Sequence, residues 1–500
     1  MDDRSSLHID HLPRHAFGDD ALGSGDATEV GEQVRTGEVS PAELIDAAIS
    51  RLKRVQDQLN IVAHTDFDRA RERARSDAAS GVFAGLPTLF KDNVWVAGAP
   101  MTHGTNALPS APRDRDGAFT TQYLSTGVIP IGTSQMPPMG WTATTERVAG
   151  DVTRNPWNPA HSSGGSSGGS AVAVATGVVP IAHGNDGGGS VRIPASACGL
   201  VGLKPSRGRV RPDLCTASMP VDIVSNSVLT RSVRDTAAAF AAFEQHWRPA
   251  KLEPIGQVTG PGEDRLRIGV LVDSPFAPPS DADTREAVNT AAELLGGLRH
   301  HLDDYTPTVS PHFKDDFIDY YSMMALGSYS DGKRLFGEGF DRTKFDPMTI
   351  GLARRARRRL HRAPIYLARM AATARQYERN FGDVDVVLTP VLTHEPPKIG
   401  YLAADMDWRV HLDRVSAFAG FTPLHNAAGA PSISVPMTLS HNGLPIGVML
   451  SARRGQERLL LQIAYEIEQA RPFASLRDQP HANAHSKGVG SPAPTRTTSG

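Results

Sequence analysis

The stretch HSSGGSSGGSAVAVATGVVPIAHGNDGGGSVRIPAS, residues 161–196, decides how this chain is read. Its first ten residues are five serines, four glycines and one histidine, the composition of a flexible linker. Patterned apolar segments follow at once, however. SAVAVATG (170–177) reads as a buried helix of small residues, and VVPIAHGND (178–186) as a strand running into a turn. The glycines therefore have positional tasks, where the backbone takes positive φ or approaches a neighbour closely. In DGGGS, consecutive N–H groups without side chains form a nest suited to an anionic oxygen, and Ser190 follows immediately. A hydroxyl beside such a nest suits acyl transfer, provided a base takes its proton. The usual base is a histidine held by a carboxylate. His183 and Asp186 lie close by, but His183 ends an apolar strand and Asp186 has a glycine turn to cap. On these residues alone the base stays open.

Outward from this centre the chain reads as α/β. SPAELIDAAISRL has Ser40 as N-cap, Pro41 at the first helical position and Glu43 three residues past the cap. A charged helical segment follows in DFDRARERARSDAA (66–79). GLPTLFKDNVWVAGAP (85–100) contains a short buried strand with Lys91 at its end, and GVIPIGTS (127–134) is another strand. LRIGVLVD (266–273), the helix in 281–300 and a return strand near 301–308 form a βαβ unit. Residues 311–380 are mostly helical. DVDVVLTPVL (383–392) restores the sheet, and 431–450 is a hairpin about Asn442-Gly443. A closing helix over 456–470 packs through Leu459, Leu460, Ile463 and Ile467. These elements predict one domain over 27–477, with a central twisted mixed sheet flanked by helices on both faces. Residues 1–26 are expected to be a polar, poorly ordered lead-in, and 478–500 a disordered tail.

Composition narrows the function classes. Fifty-two Lys+Arg against 54 Asp+Glu give a net charge of −2, which argues against a dedicated nucleic-acid binder or a membrane-surface protein. Two cysteines, Cys198 and Cys215, exclude a disulfide scaffold and show no zinc spacing. The first residues, MDDRSSLHIDHLPRHAF, do not read as a signal peptide, and no apolar run is long enough to span a membrane. A cytoplasmic location is the expectation.

Three motif matches are weak. GSYSDGKR (327–334) approximates a phosphate-binding loop but ends in Arg334 and lacks a preceding strand. RRARRRLHR (354–362) reads as a solvated helix face rather than a phosphate grip. GGSSG (164–168) fits a nucleophile elbow, with Ser166 as an esterase- or lipase-like nucleophile, yet its lead-in is polar and proline-broken.

The 47-residue run GGSSGGSAVAVATGVVPIAHGNDGGGSVRIPASACGLVGLKPSRGRV strongly resembles the signature of the amidase signature family of serine hydrolases. GLPTLFKDNVWVAGAP resembles the family's lysine segment, TRNPWNP its lead-in, and NAAGAPSISVPMTLSHNGLPIGVML its C-terminal sheet. Within the family, the branch containing 6-aminohexanoate-cyclic-dimer hydrolase and actinobacterial amidases is the most similar.

The resemblance implies the amidase signature fold, with a catalytic core over about 85–215 and a pocket-lining region over about 311–425. It also implies an amidase acting on carbon–nitrogen bonds other than peptide bonds, on a small linear or cyclic amide. Ser190 matches the acylated nucleophile, Ser166 the bridging serine on a cis peptide bond, and Lys91 the base. The backbone N–H groups of Gly187, Gly188, Gly189 and Ser190 match the oxyanion hole. No metal or organic cofactor is implied, nor any nucleic-acid or membrane partner; a homodimer is left open. Lysine has a pKa of about 10.4 in water, so this role needs burial among Leu89, Phe90, Val94 and Val96, with Asp92 turned away. The family often carries GKTN-x-x-E where this chain has GTSQMPPMG (132–140), with Thr133, Gln135 and Pro138 as departures that bear on substrate choice. The rival implied by the same resemblance is a glutaminase subunit of a tRNA-dependent amidotransferase.

Overall fold

The helix Pro41–Leu59 starts on the box its sequence encodes: Ser40 accepts from the Glu43 N–H, and the Glu43 carboxylate accepts from the Ser40 N–H at 2.9 Å. The computed structural model describes residues 14–76, 80–148, 150–213 and 219–479. Eleven strands fall within them: β1 (Val62–Thr65), β2 (Pro87–Lys91), β3 (Ile129–Ser134), β4 (Ile181–Asp186), β5 (Val201–Lys204), β6 (Ser225–Thr230), β7 (Arg267–Val270), β8 (His301–Asp304), β9 (Val386–Pro390), β10 (Ser432–Leu439) and β11 (Pro445–Ala452).

Eight strands form one mixed sheet in the order β4-β6-β5-β10-β11-β9-β7-β8. The β7–β8 and β7–β9 pairs are parallel, as a βαβ crossover through the helix Ala282–Gly297 requires, while β10 and β11 are the antiparallel hairpin. Helices cover the sheet, including Arg192–Cys198, Val233–His246 and the closing helix Glu457–Ala470. That last helix buries Leu460, Leu461, Ile463 and Ile467, one stripe at helical spacing.

Two features differ from expectation. β2 and β3 do not join the central sheet: with β1 they form a separate three-stranded sheet, β1-β3-β2, packed so that β2 contacts β4. The expected loose lead-in does not hold for residues 14–26. Ala16 and Leu22 are buried, the Ala16 N–H donates to the Thr176 carbonyl, and Asp26 caps the helix Ala27–Thr36. Asp20 pairs with the buried Arg51, so a polar segment is held by partners far along the chain. Residues 1–13, Cys215 and the tail from 480 onward lie outside the described residues.

Residues 161–196 are not a linker. The helix Gly168–Ala175 is buried along its whole length. A Cβ on Gly169 would lie 2.5 Å from the Gln135 nitrogen and from the Ile61 carbonyl oxygen, so only glycine lets this helix abut the small sheet.

Candidate functional site

Lys91 ends β2, and Asn185 and Asp186 end β4, so the packing of the two sheets brings lysine and glycine loop together. Ser166 follows a cis Gly165–Ser166 peptide bond just before the buried helix. Ser190 lies in the turn between β4 and the helix Arg192–Cys198. The three predicted side chains meet in a line: Lys91 Nζ is 2.7 Å from Ser166 Oγ, which is 2.9 Å from Ser190 Oγ. Lys91 also donates to Asn185 Oδ1 at 2.7 Å, a partner the sequence reading missed. Asn93 Nδ2 donates to the same oxygen at 3.2 Å.

Burial governs the electrostatics. Lys91 has no exposed surface, and Leu89, Phe90, Val94 and Val96 around it in sequence are buried too. Loss of hydration lowers the Lys91 amine to about 7, against a smaller opposing pull from Asp186. That is a bias on the order of 5 kcal/mol against the charged form. Asp92 turns away: its carboxylate accepts from the Thr102 N–H and hydroxyl, and burial raises it to about 6.

Neither His183 nor Asp186 serves Ser190 as a base. His183 is buried, its Nδ1 accepting from the Lys91 backbone N–H at 3.2 Å, and burial lowers it to about 3. Burial would raise the Asp186 carboxyl, but Arg192, bonded to both its oxygens at 2.8 and 2.9 Å, holds it well below the usual range. Both partners are fully buried, and Asn426 completes the cluster. Removing one charge of such a pair strands the other. Arg192→Met should therefore lower unfolding free energy by about 3–5 kcal/mol, read from urea midpoints; an unchanged midpoint would mean that the pair does not hold this turn.

The nest needs one correction. The Gly189 N–H donates to Asp186 Oδ1 at 2.8 Å, so it braces the turn and does not face a ligand. Among the described residues, no protein acceptor is bonded to the N–H groups of Gly187, Gly188 or Ser190. Gly189 has φ +133°, and a Cβ there would lie 2.4 Å from Thr422 Oγ1. Thr422, which donates to the Gly188 carbonyl at 2.6 Å, and Asn426 lie more than 230 residues downstream. No local pattern could have announced them.

Ser190 opens on two cavities. One, about 630 Å³, is bordered by Ser166, Asn185 and Gly187; the other, about 100 Å³, is bordered by Gly165, Gly188 and Ile193. Phe317, Tyr321, Met324, Met348 and Leu412, all within 311–425, line one or both. Of the departures at 132–140, Thr133 sits in β3, and Gln135 donates to Asn60 and Val62 away from the cavities. Pro138 instead precedes Met139 and Gly140, which line the larger cavity.

The weak matches become structural. Ser166 is led in by isolated bridges at 161 and 162, not by the strand an elbow needs. Residues 327–334 end one helix and begin another. Arg355 and Arg359 of the arginine run pair with Asp319. Among the described residues, one group could offer three metal ligands, Asp283, Glu395 and His441; it shares no residue with this site. No helix among them is long and apolar enough to cross a membrane.

A family profile described as Amidase matches residues 43–461. The chain is 44% identical over 464 residues to "Putative amidase AmiC" of Mycobacterium tuberculosis, covering 92% of this chain and 98% of that one. Among solved structures, 6-aminohexanoate cyclic dimer hydrolase complexed with substrate superposes with a TM-score of 0.81 at 33% identity, covering 91% of this chain and 98% of that chain. A bacterial aryl acylamidase of the amidase signature enzymes gives a TM-score of 0.78 at 25% identity, covering 92% and 97%.

Proposed function

The chain belongs to the amidase signature family of amide hydrolases, and from that premise we propose that it cleaves a carboxylic amide through an acyl-enzyme on Ser190. The carrying observation is the unbroken line from Lys91 Nζ through Ser166 Oγ to Ser190 Oγ, with steps of 2.7 and 2.9 Å. Hydroxyl protons rotate, so the donors can run from Ser190 to Ser166 to a neutral Lys91. As Ser190 Oγ bonds to the carbonyl carbon, its proton passes to Ser166, whose own proton passes to Lys91. The carbonyl oxygen, now anionic, is met by the N–H groups of Gly187, Gly188 and Ser190. On collapse the carbon–nitrogen bond breaks, and the proton returns through Ser166 to the leaving nitrogen. Water then attacks the ester by the same relay, releasing the carboxylic acid and restoring Ser190.

Only the neutral amine can start this sequence, and kcat/KM reports the free enzyme. The profile should rise tenfold per pH unit up to about 7, where Lys91 titrates, and level off above. A rise continuing past pH 9 would mean that burial has not lowered the Lys91 amine, and a profile flat from pH 5 to 9 would remove Lys91 as the base. The sign for stability is separate. The folded value lies below the unfolded 10.5, so the cost of burying this amine is full below about pH 7 and fades as pH climbs from there to 10.5.

The activity itself is tested with purified protein on a panel of linear amides, cyclic amides and glutamine. The likeness to a 6-aminohexanoate cyclic dimer hydrolase and to an aryl acylamidase supports non-glutamine amides, including cyclic ones. Turnover confined to glutamine would instead favour the amidotransferase-subunit reading.

A further inference from the structure

The two cavities at Ser190 differ in chemistry, and Trp141 and Tyr321 stand between them. Their rings meet edge-on at 5.3 Å, and both residues line both spaces. The 100 Å³ space is bounded by apolar side chains, among them Ile193, Phe317, Met348, Leu352 and Val415. The 630 Å³ space is mixed, with Asn93, His103 and Asn185 beside Met324 and Phe336. Asn93 and Asn185 border it together, the Asn93 Nδ2 donating to Asn185 Oδ1 at 3.2 Å. A wall that mixes polar side chains with apolar ones suits a part of the substrate that hydrogen-bonds as well as packs.

The proton relay decides which part of the substrate goes where. The leaving nitrogen must come within reach of Ser166 Oγ, and Ser166 borders only the larger space. Gly187 borders the larger space and Gly188 the smaller, so a carbonyl oxygen in the nest sits at their boundary. The acyl substituent, on the other side of the carbonyl carbon from the nitrogen, then enters the apolar space. An apolar cavity of roughly 150 Å³ holds one benzene. By that measure the smaller space seats a chain of about four or five carbons.

We propose that the substrate joins a short apolar acyl group, seated against Ile193, Phe317 and Leu352, to a larger amine part whose hydrogen-bonding groups meet Asn93 and His103. This rests on acylation of Ser190 by the relay above.

The test is kcat/KM of the full chain on p-nitroanilides of acetate, butyrate, hexanoate and decanoate. A second series joins butyrate to amines with and without a further amide group. Activity should peak at or below about five acyl carbons and fall roughly tenfold or more for each methylene that no longer fits. Leu352→Ala should move the optimum to longer chains, whereas Phe336→Ala should leave it in place. The amine bearing an amide should be preferred by about tenfold, and Asn93→Ala should erase that preference. Decanoyl hydrolysis at or above the acetyl rate, with an optimum that Leu352→Ala does not move, overturns this assignment while leaving the amidase reading intact. No turnover of any amide, with Ser190 unlabelled by a fluorophosphonate, overturns both.

Discussion

Replacing Ser190 by alanine should lower amide hydrolysis by on the order of 10⁴-fold or more, with the fold intact. The side chain is small, and it is hydrogen-bonded to the Ser166 hydroxyl at 2.9 Å, so its loss opens no sizeable cavity. What disappears is the atom that bonds to the carbonyl carbon. Ser166 cannot stand in for it: its Oγ lies between Lys91 and Ser190, one relay step behind the nest. Groups that act as one unit lose nearly all their effect when one is removed, leaving the catalysis that binding and the N–H groups supply. Initial rates, paired with circular dichroism to show folding, measure this. A variant retaining a tenth of the parent rate would contradict acylation at Ser190.

Lys91→Met should be the second large loss, between about 10² and 10⁴-fold in kcat/KM. Methionine keeps an unbranched apolar side chain in the buried space and removes only the amine. Asn185 Oδ1 retains the Asn93 donor, so no acceptor is stranded. Below pH 7 the variant also escapes the burial cost of the amine, and its melting temperature there should equal or exceed that of the parent. The residual rate should lose the limb near pH 7. If that limb persisted in the variant, some other group would be titrating.

Much of this was legible in the chain because the signals are local. The capping box at Ser40, the Asn442-Gly443 hairpin and the small-residue helix after Ser166 each carry their own geometry within a few residues. Ser190 stood out from its glycine nest alone, whereas Lys91 and the bridging place of Ser166 came through resemblance, since nothing in composition or spacing links residue 91 to residue 190. What escaped is tertiary. Asp20 in a polar segment looks unstructured until Arg51 is beside it. Strands β2 and β3 are buried runs that would suit either sheet, and only packing against β4 decides between them. A run of three glycines advertises free N–H groups, but Asp186, Arg192, Asn426 and Thr422 together fix which ones turn outward. The split of the space at Ser190 depends on helices beyond residue 311 whose apolar residues, read as sequence, look like ordinary core.

The most direct measurement of the central claim is a fluorophosphonate reaction followed by peptide mapping. The account predicts one covalent adduct per chain, on Ser190, formed faster as pH rises to about 7 and lost in Ser190→Ala. An adduct on Ser166 instead, or labelling that survives in Ser190→Ala, would contradict it.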